Sequence, residues 1–163
     1  MVIDLEDTLV GPTMADRRLH LRQEFATLGA PIVNEPRGNE IIVGAWICRP
    51  VDPSCFAGVV FINNVGVLQM CGHATIGVIA TLVWQDKLTP GIHRMETPVG
   101  IIEVELHSDG QAVSFENVPS NRYQTAVRVN VPGSSPLGNG FVTGDIAYGG
   151  NWFYLVDDHG LDL

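Results

Sequence analysis

Residues 74–84 run Ala-Thr-Ile-Gly-Val-Ile-Ala-Thr-Leu-Val-Trp, with no proline and no charge. The run is long for a strand and too short to span a bilayer. It reads as a helix, and a helix that is apolar all round has to be buried. Any fold open to this chain must therefore wrap a helix. Strands are the material at hand. Ala57–Asn63 and residues 65–70 read as an apolar strand pair around Asn63-Asn64.

Cys71 falls where the second of these strands ends and the helix begins. Gly72 follows it, so the backbone there can turn sharply or approach a ligand closely. The first N–H groups of a helix lack intrahelical partners and carry partial positive charge. Such groups favour a thiolate and can hold a small carboxylate. Met70-Cys71-Gly72-His73 thus offers a sulfur and an anion cradle side by side. The bland alternatives stand beside this. A lone cysteine next to an apolar helix also suits a small core hydrophobe, and His73 suits a solvent-facing place on the first turn. A protease-like Cys–His pair is not implied, because this spacing at a strand–helix junction does not aim the two side chains at each other.

The chain has 163 residues, enough for a real core in one or two domains. Hydrophobic residues make up 45% and charged residues 17%, which excludes a disordered chain. Eighteen glycines and ten prolines imply many turns and short strands. The net charge of −9, without a Lys/Arg-rich run, argues against a nucleic-acid partner. The first residues have neither the basic flank nor the apolar stretch of a secretory signal. Three cysteines show no zinc-type spacing. The expectation is a cytoplasmic protein with reduced thiols, no membrane segment and no metal site.

Taken in order, residues 1–12 lack clear periodicity and end in Gly11-Pro12. Thr13 reads as an N-cap, with Asp16 completing a capping-box variant. The helix it starts should run to Gly29, with Arg17, Arg18, Arg22 and Glu24 facing water. Residues 40–48 read as a strand with Ile41, Val43, Ala45 and Ile47 on one face and Ile42, Gly44, Trp46 and Cys48 on the other. Gly91–Thr97, 101–107 and 112–117 read as a meander, with Ser108-Asp109-Gly110 as a hairpin turn. Residues 123–131 form a further strand with Thr125, Val127, Val129 and Val131 on one face. A Gly/Pro/Ser-rich stretch at 132–140 reads as a linker or loop, and 141–156 as a strand region broken at Gly149-Gly150. The expected organisation is a lobe over 1–131, a linker over 132–140 and the start of a second lobe over 141–163. The expected class is α+β: a mostly antiparallel sheet curved around one buried central helix. Cys48 and Cys55 read as structural, and the remaining histidines form no cluster.

Met70-Cys71-Gly72-His73-x-x-Ile76-Gly77 resembles the first catalytic motif of the proline racemase family. Glu35-Pro36-Arg37-Gly38, Pro50-Val51-Asp52-Pro53, Glu96-Thr97-Pro98-Val99-Gly100 and the segment from Gly144 to Phe153 are similar to that family in the same order. The likeness is closest to its 4-hydroxyproline epimerase branch. It implies one lobe of a two-lobed, diaminopimelate-epimerase-like fold with the site in the cleft between lobes. It implies Cys71 as a catalytic acid/base, Gly72 and His73 as substrate-binding residues, and Asn151 and Trp152 near the ring substituent. It implies hydroxyproline or proline as substrate and no cofactor. Two family features are missing. The opening Asp-x-His-Thr-x-Gly-Glu motif does not occur, so the family's first strand is expected to be absent or altered, and the second motif, Asp-x-x-Pro-Cys-Gly-Thr-Gly, does not occur either. A truncated member, one half of a split protein and a natural short form all fit, as does a homodimer or pairing with a second half. The alternatives to epimerisation are the family's trans-3-hydroxyproline dehydratase branch and a non-catalytic lobe that binds a small carboxylate or a partner chain.

Overall fold

The computed structural model describes residues 1–4, 8–131 and 140–158. The chain divides into two compact units, Met1–Val118 and Pro119–Leu163. In the first unit β1 (Val2–Asp4), β2 (Val43–Cys48), β3 (Ala57–Asn63), β4 (Gly66–Leu68), β5 (Gly91–Thr97), β6 (Gly100–Leu106) and β7 (Val113–Glu116) share one sheet. Its order is β1-β2-β3-β5-β6-β7, with β4 pairing β3. The β1–β2 and β3–β5 pairs are parallel and the others antiparallel. The helices are α1 (Met14–Gln23), α2 (Ala30–Val33) and α3 (Gly72–Trp84). This is the expected α+β class.

β2 and β3 are buried on both faces over nearly their whole length, as unbroken apolar strands must be. Ala45, Ile47, Val59 and Phe61 meet Ala74, Val78, Ile79 and Leu82 of α3 in one core. Trp46, Cys48, Val60 and Ile62 point the other way, toward Met14 and Leu21 of α1 and Val33 of α2. The two-faced reading of residues 40–48 thus holds from Val43 onward. Asn63 closes the β3–β4 hairpin, its Oδ1 accepting from the N–H groups of Val65 and Gly66 (both 3.0 Å). Asp109 does the same for β6–β7, accepting from Gln111 and Ala112.

α3 touches β1 and β2 at one end of the sheet and β7 at the other. One face of the helix is buried: Ala74, Thr75, Val78, Ile79 and Leu82. Ile76 is 43% and Trp84 82% exposed. The expectation of a helix buried on every side is therefore corrected to one buried face.

Three other expectations change. A first strand is present: β1 runs parallel to β2 with Val2 opposite Ala45, and the Met1 ammonium donates to Val43 O at 2.9 Å. Three residues are too few to show a period. α1 has its capping box, with Asp16 N–H donating to Thr13 Oγ1 and Thr13 N–H to Asp16 Oδ2. It stops at Gln23, however, and turns replace its expected last stretch before Gly29. Arg17 does not face water; its guanidinium donates inward to Gly11 O, Arg49 O and Cys48 Sγ.

The second unit holds β8 (Asn121–Asn130), β9 (Phe141–Tyr148) and β10 (Trp152–Leu155), an antiparallel sheet in the order β10-β9-β8. β8 pairs with β9, so the division falls after Val118 and not after residue 131. The expected linker, apart from Gly140, lies outside the described residues. β8 also loses its simple alternation. Its register slips after Arg122 and after Gln124, and Ala126 adopts φ 52°, with its N–H held by Asp145 Oδ1 at 2.9 Å. Gly149-Gly150 closes the β9–β10 hairpin, with Gly150 at φ 91°. No helix among the described residues is long and apolar enough to cross a membrane.

Candidate active site

The site begins at the joint between β4 and α3. Cys71 is the N-cap of α3, extended at φ −151°, ψ 111°. Its Sγ accepts from the Ala74 N–H at 3.5 Å. Its carbonyl accepts from both the N–H (3.0 Å) and the Oγ1 (2.9 Å) of the fully buried Thr75. A serine or threonine usually caps a helix in this way; here a sulfur takes that place, with its backbone clamped by the next turn. Cys71 is half-buried and packs against the α3 core.

Gly72 and His73 supply the first two helical N–H groups, which have no intrahelical acceptor. His73 is exposed and borders a cavity of 260 Å³, walled mainly by apolar groups of Met1, Ile41, Val43, Ala74 and Gly77. No hydrogen bond joins Cys71 to His73 among the described residues. Gly72 does not have a positive φ. What it lacks is room: a Cβ there would lie 2.8 Å from Phe115 Cζ. Phe115 belongs to β7 and was not among the residues that sequence singled out. The alternation of Val113 and Phe115 on the inward face of β7 was the available signal, but it does not say what the ring meets.

The other two thiols sit elsewhere. Cys48 is 1% and Cys55 6% exposed. Burial pushes the Cys48 thiol above its ordinary range, against the opposing Arg17 hydrogen bond. Burial also raises Cys55, helped by the nearby Asp52 and Glu96 carboxylates. Both environments keep the sulfur protonated and out of reach. Glu96 instead pins the 50–53 turn, its Oε2 accepting from Val51 N (2.6 Å) and Asp52 N (3.0 Å). Among the described residues no group of three His, Cys, Asp or Glu side chains is placed to hold a metal ion. Asn151 and Trp152 lie in the second unit, where Trp152 packs edge-on to Tyr123, ring centroids 5.4 Å apart.

Sequence comparison decides the ancestry of this site. The sequence model of the proline racemase family matches residues 2–163. The chain belongs to the proline racemase family. It is 52% identical over 150 residues to a 4-hydroxyproline 2-epimerase of Pseudomonas aeruginosa, covering 92% of this chain and 46% of that protein. It is 48% identical over 160 residues to the 4-hydroxyproline 2-epimerase of Burkholderia ambifaria, covering 98% of this chain and 50% of that one. The chain spans about half the length of the curated relatives it matches. Among solved structures, a hydroxyproline epimerase from Agrobacterium vitis with bound trans-4-hydroxy-L-proline superposes with a TM-score of 0.82 at 23% identity, over 95% of this chain and 47% of that one. A proline racemase homologue from Agrobacterium radiobacter with bound carbonate gives 0.84 at 23% identity, over 99% of this chain and 49% of that one. At that identity these two structures establish the fold of this chain.

Proposed function

We propose that this chain carries the first half of a cofactor-independent 4-hydroxyproline 2-epimerase site, with Cys71 as one of two acid/base thiols. The observation that carries the reading is the sulfur itself: Cys71 caps α3 at its N-terminus, in a chain about half identical to proteins named 4-hydroxyproline 2-epimerase.

The chemistry follows from that position. The imino acid's carboxylate rests on the N–H groups of Gly72 and His73, which carry the positive end of the helix. Those dipoles stabilise the negative charge that grows on the carboxylate as the α-proton leaves. Cys71, as thiolate, takes the α-proton from one face of the carbon and becomes the thiol. A second acid delivers a proton to the opposite face, and the carbon inverts. Cys48 and Cys55 are buried and do not serve as that acid; a second copy of the chain or another polypeptide segment would supply it. The exposed His73 orients the ligand at the mouth of the apolar cavity. Three free thiols suit a reducing, cytoplasmic setting.

Substrate protection tests the reading. Native protein is alkylated with limiting iodoacetamide, and the modified sites are mapped by mass spectrometry with and without trans-4-hydroxy-L-proline. Cys71 should label first, and the imino acid should slow Cys71 alone. Labelling of Cys48 or Cys55 first, or indifference of Cys71 to saturating imino acid, contradicts it.

A further inference from the structure

Gly72 sits on an ordinary helical first turn, and its backbone angles would suit any residue. Glycine is needed there for a different reason. The Phe115 ring points end-on at the Gly72 Cα: its Cζ lies 2.8 Å, and Cε1 and Cε2 3.6 and 3.8 Å, from where a Cβ would stand. Real Cβ atoms do not approach a ring carbon that closely, so a side chain at 72 would force the ring or the helix start to shift. Phe115 is half-buried. It pairs with the buried Val104 across β6–β7 and packs on the α3 core. α3 touches β7.

We infer that Phe115 is a positioning residue for the Cys71 site. Its ring abuts Gly72 and fixes the height of the α3 N-terminus relative to the sheet. With it come the Cys71 sulfur and the two free N–H groups. The ring also closes the β7 side of that turn. His73, which carries one of those N–H groups, borders the apolar cavity, and Phe115 does not line it. The inference rests on the proposed role of Cys71 for its importance to catalysis, but the contact is testable without any turnover.

The test is a space-swap cycle in the full 163-residue chain: Gly72→Ala, Phe115→Ala, the double variant, and Phe115→Leu. The readout is the rate of iodoacetamide reaction at Cys71 divided by the rate at Cys48 in the same molecules. Global loosening exposes the buried Cys48 and moves its rate as well, whereas displacement of the α3 start moves Cys71 alone. Gly72→Ala should lower Cys71 reactivity by about tenfold, the scale of an overpacked contact. Phe115→Ala should raise it by opening one side. Adding Gly72→Ala to Phe115→Ala should change nothing further, and Phe115→Leu should lie near the parent. If Gly72→Ala has the same effect with and without the ring, or none in either background, the inference is wrong. If Gly72→Ala unfolds the chain, Cys48 labels as fast as Cys71. The double variant must then recover Cys48 protection, and failure to do so also overturns it. Coupling between the two positions in a protein whose Cys71 labelling is indifferent to saturating trans-4-hydroxy-L-proline would keep the inference and remove the catalytic reading.

Discussion

β3 and β8 are both rich in strand-forming residues, yet they live in different surroundings. Six of the seven residues of β3 are buried, and Val59, Val60, Phe61 and Ile62 are fully so. Nine of the ten residues of β8 are exposed. β3 has α3 on one face and α1 on the other, and a partner strand along each edge. β8 is the edge of a three-stranded sheet whose hydrophobic residues Tyr123, Val129, Trp152, Phe153 and Leu155 stay in solvent. A strand is stabilised by what covers it more than by its own composition. Among the described residues, the first unit holds buried hydrophobic clusters, while the second shows strand pairing without one.

Hydrogen exchange puts the widest gap between the two units. Amides of β3 should open only with global unfolding, at about 5–15 kcal/mol for a domain of ordinary stability. Amides of β8 and β10 should exchange through local opening at a small fraction of that in a monomer, and slow down if chains associate. Equal protection in a proven monomer would mean that the second unit has a core of its own.

Side-chain truncation sharpens the same contrast. Phe61→Ala should cost about 3–5 kcal/mol in urea unfolding, since the ring is wholly buried between β2 and α3. Val129→Ala, at a position 40% exposed, should change stability by less than about 0.5 kcal/mol. Comparable losses at the two sites would remove the distinction.

Acid sensitivity gives the smallest effect and belongs to the first unit. Asp52 is held below the ordinary aspartate value of 3.8 by hydrogen bonds from the side chain and backbone of Ser54. Asp109 is held below it by the backbone N–H groups of Gln111 and Ala112. A carboxylate whose folded value is depressed stabilises the fold above its unfolded value, and that contribution is lost as pH falls through the lower folded value. Both turns are exposed, so the loss is slight and confined to pH below about 4. Asp52→Asn and Asp109→Asn should flatten the acid limb of the melting temperature and leave it unchanged near pH 7 apart from a small offset. A slope that rises toward neutral pH would contradict the assignment.

Local signals were legible where one side chain decides the geometry. Thr13 with Asp16, Asn63 and Asp109 each satisfy backbone N–H groups two or three residues away, so sequence spacing is enough to find them. Cys71 was legible for the same reason, as the residue between a strand and an apolar helix. What sequence could not give depends on distant partners. β1 exists because β2 accepts it in parallel. Arg17 turns inward because carbonyls of Gly11 and Arg49 await it. The bulge at Ala126 is held by Asp145, nineteen residues on. Composition said that α3 could be buried all round, but only the packing shows that Ile76 and Trp84 are not. Gly72 read as a turn or close-approach position, whereas the 2.8 Å between a Cβ there and Phe115 Cζ depends on a distant strand.

The central claim is that Cys71 supplies one of the two acid/base groups that inversion requires. It is tested most directly by incubating the 163-residue chain with trans-4-hydroxy-L-proline in D₂O. Mass spectrometry follows α-deuterium and polarimetry follows configuration, at protein concentrations on both sides of any association. The monomer should not change the optical rotation, because a lone thiolate can at most exchange the α-hydrogen and return it to the same face; any exchange should vanish in Cys71→Ser. Inversion in a sample shown to be monomeric, at a rate per chain independent of concentration and lost in Cys71→Ser, would contradict the two-thiol mechanism for this chain.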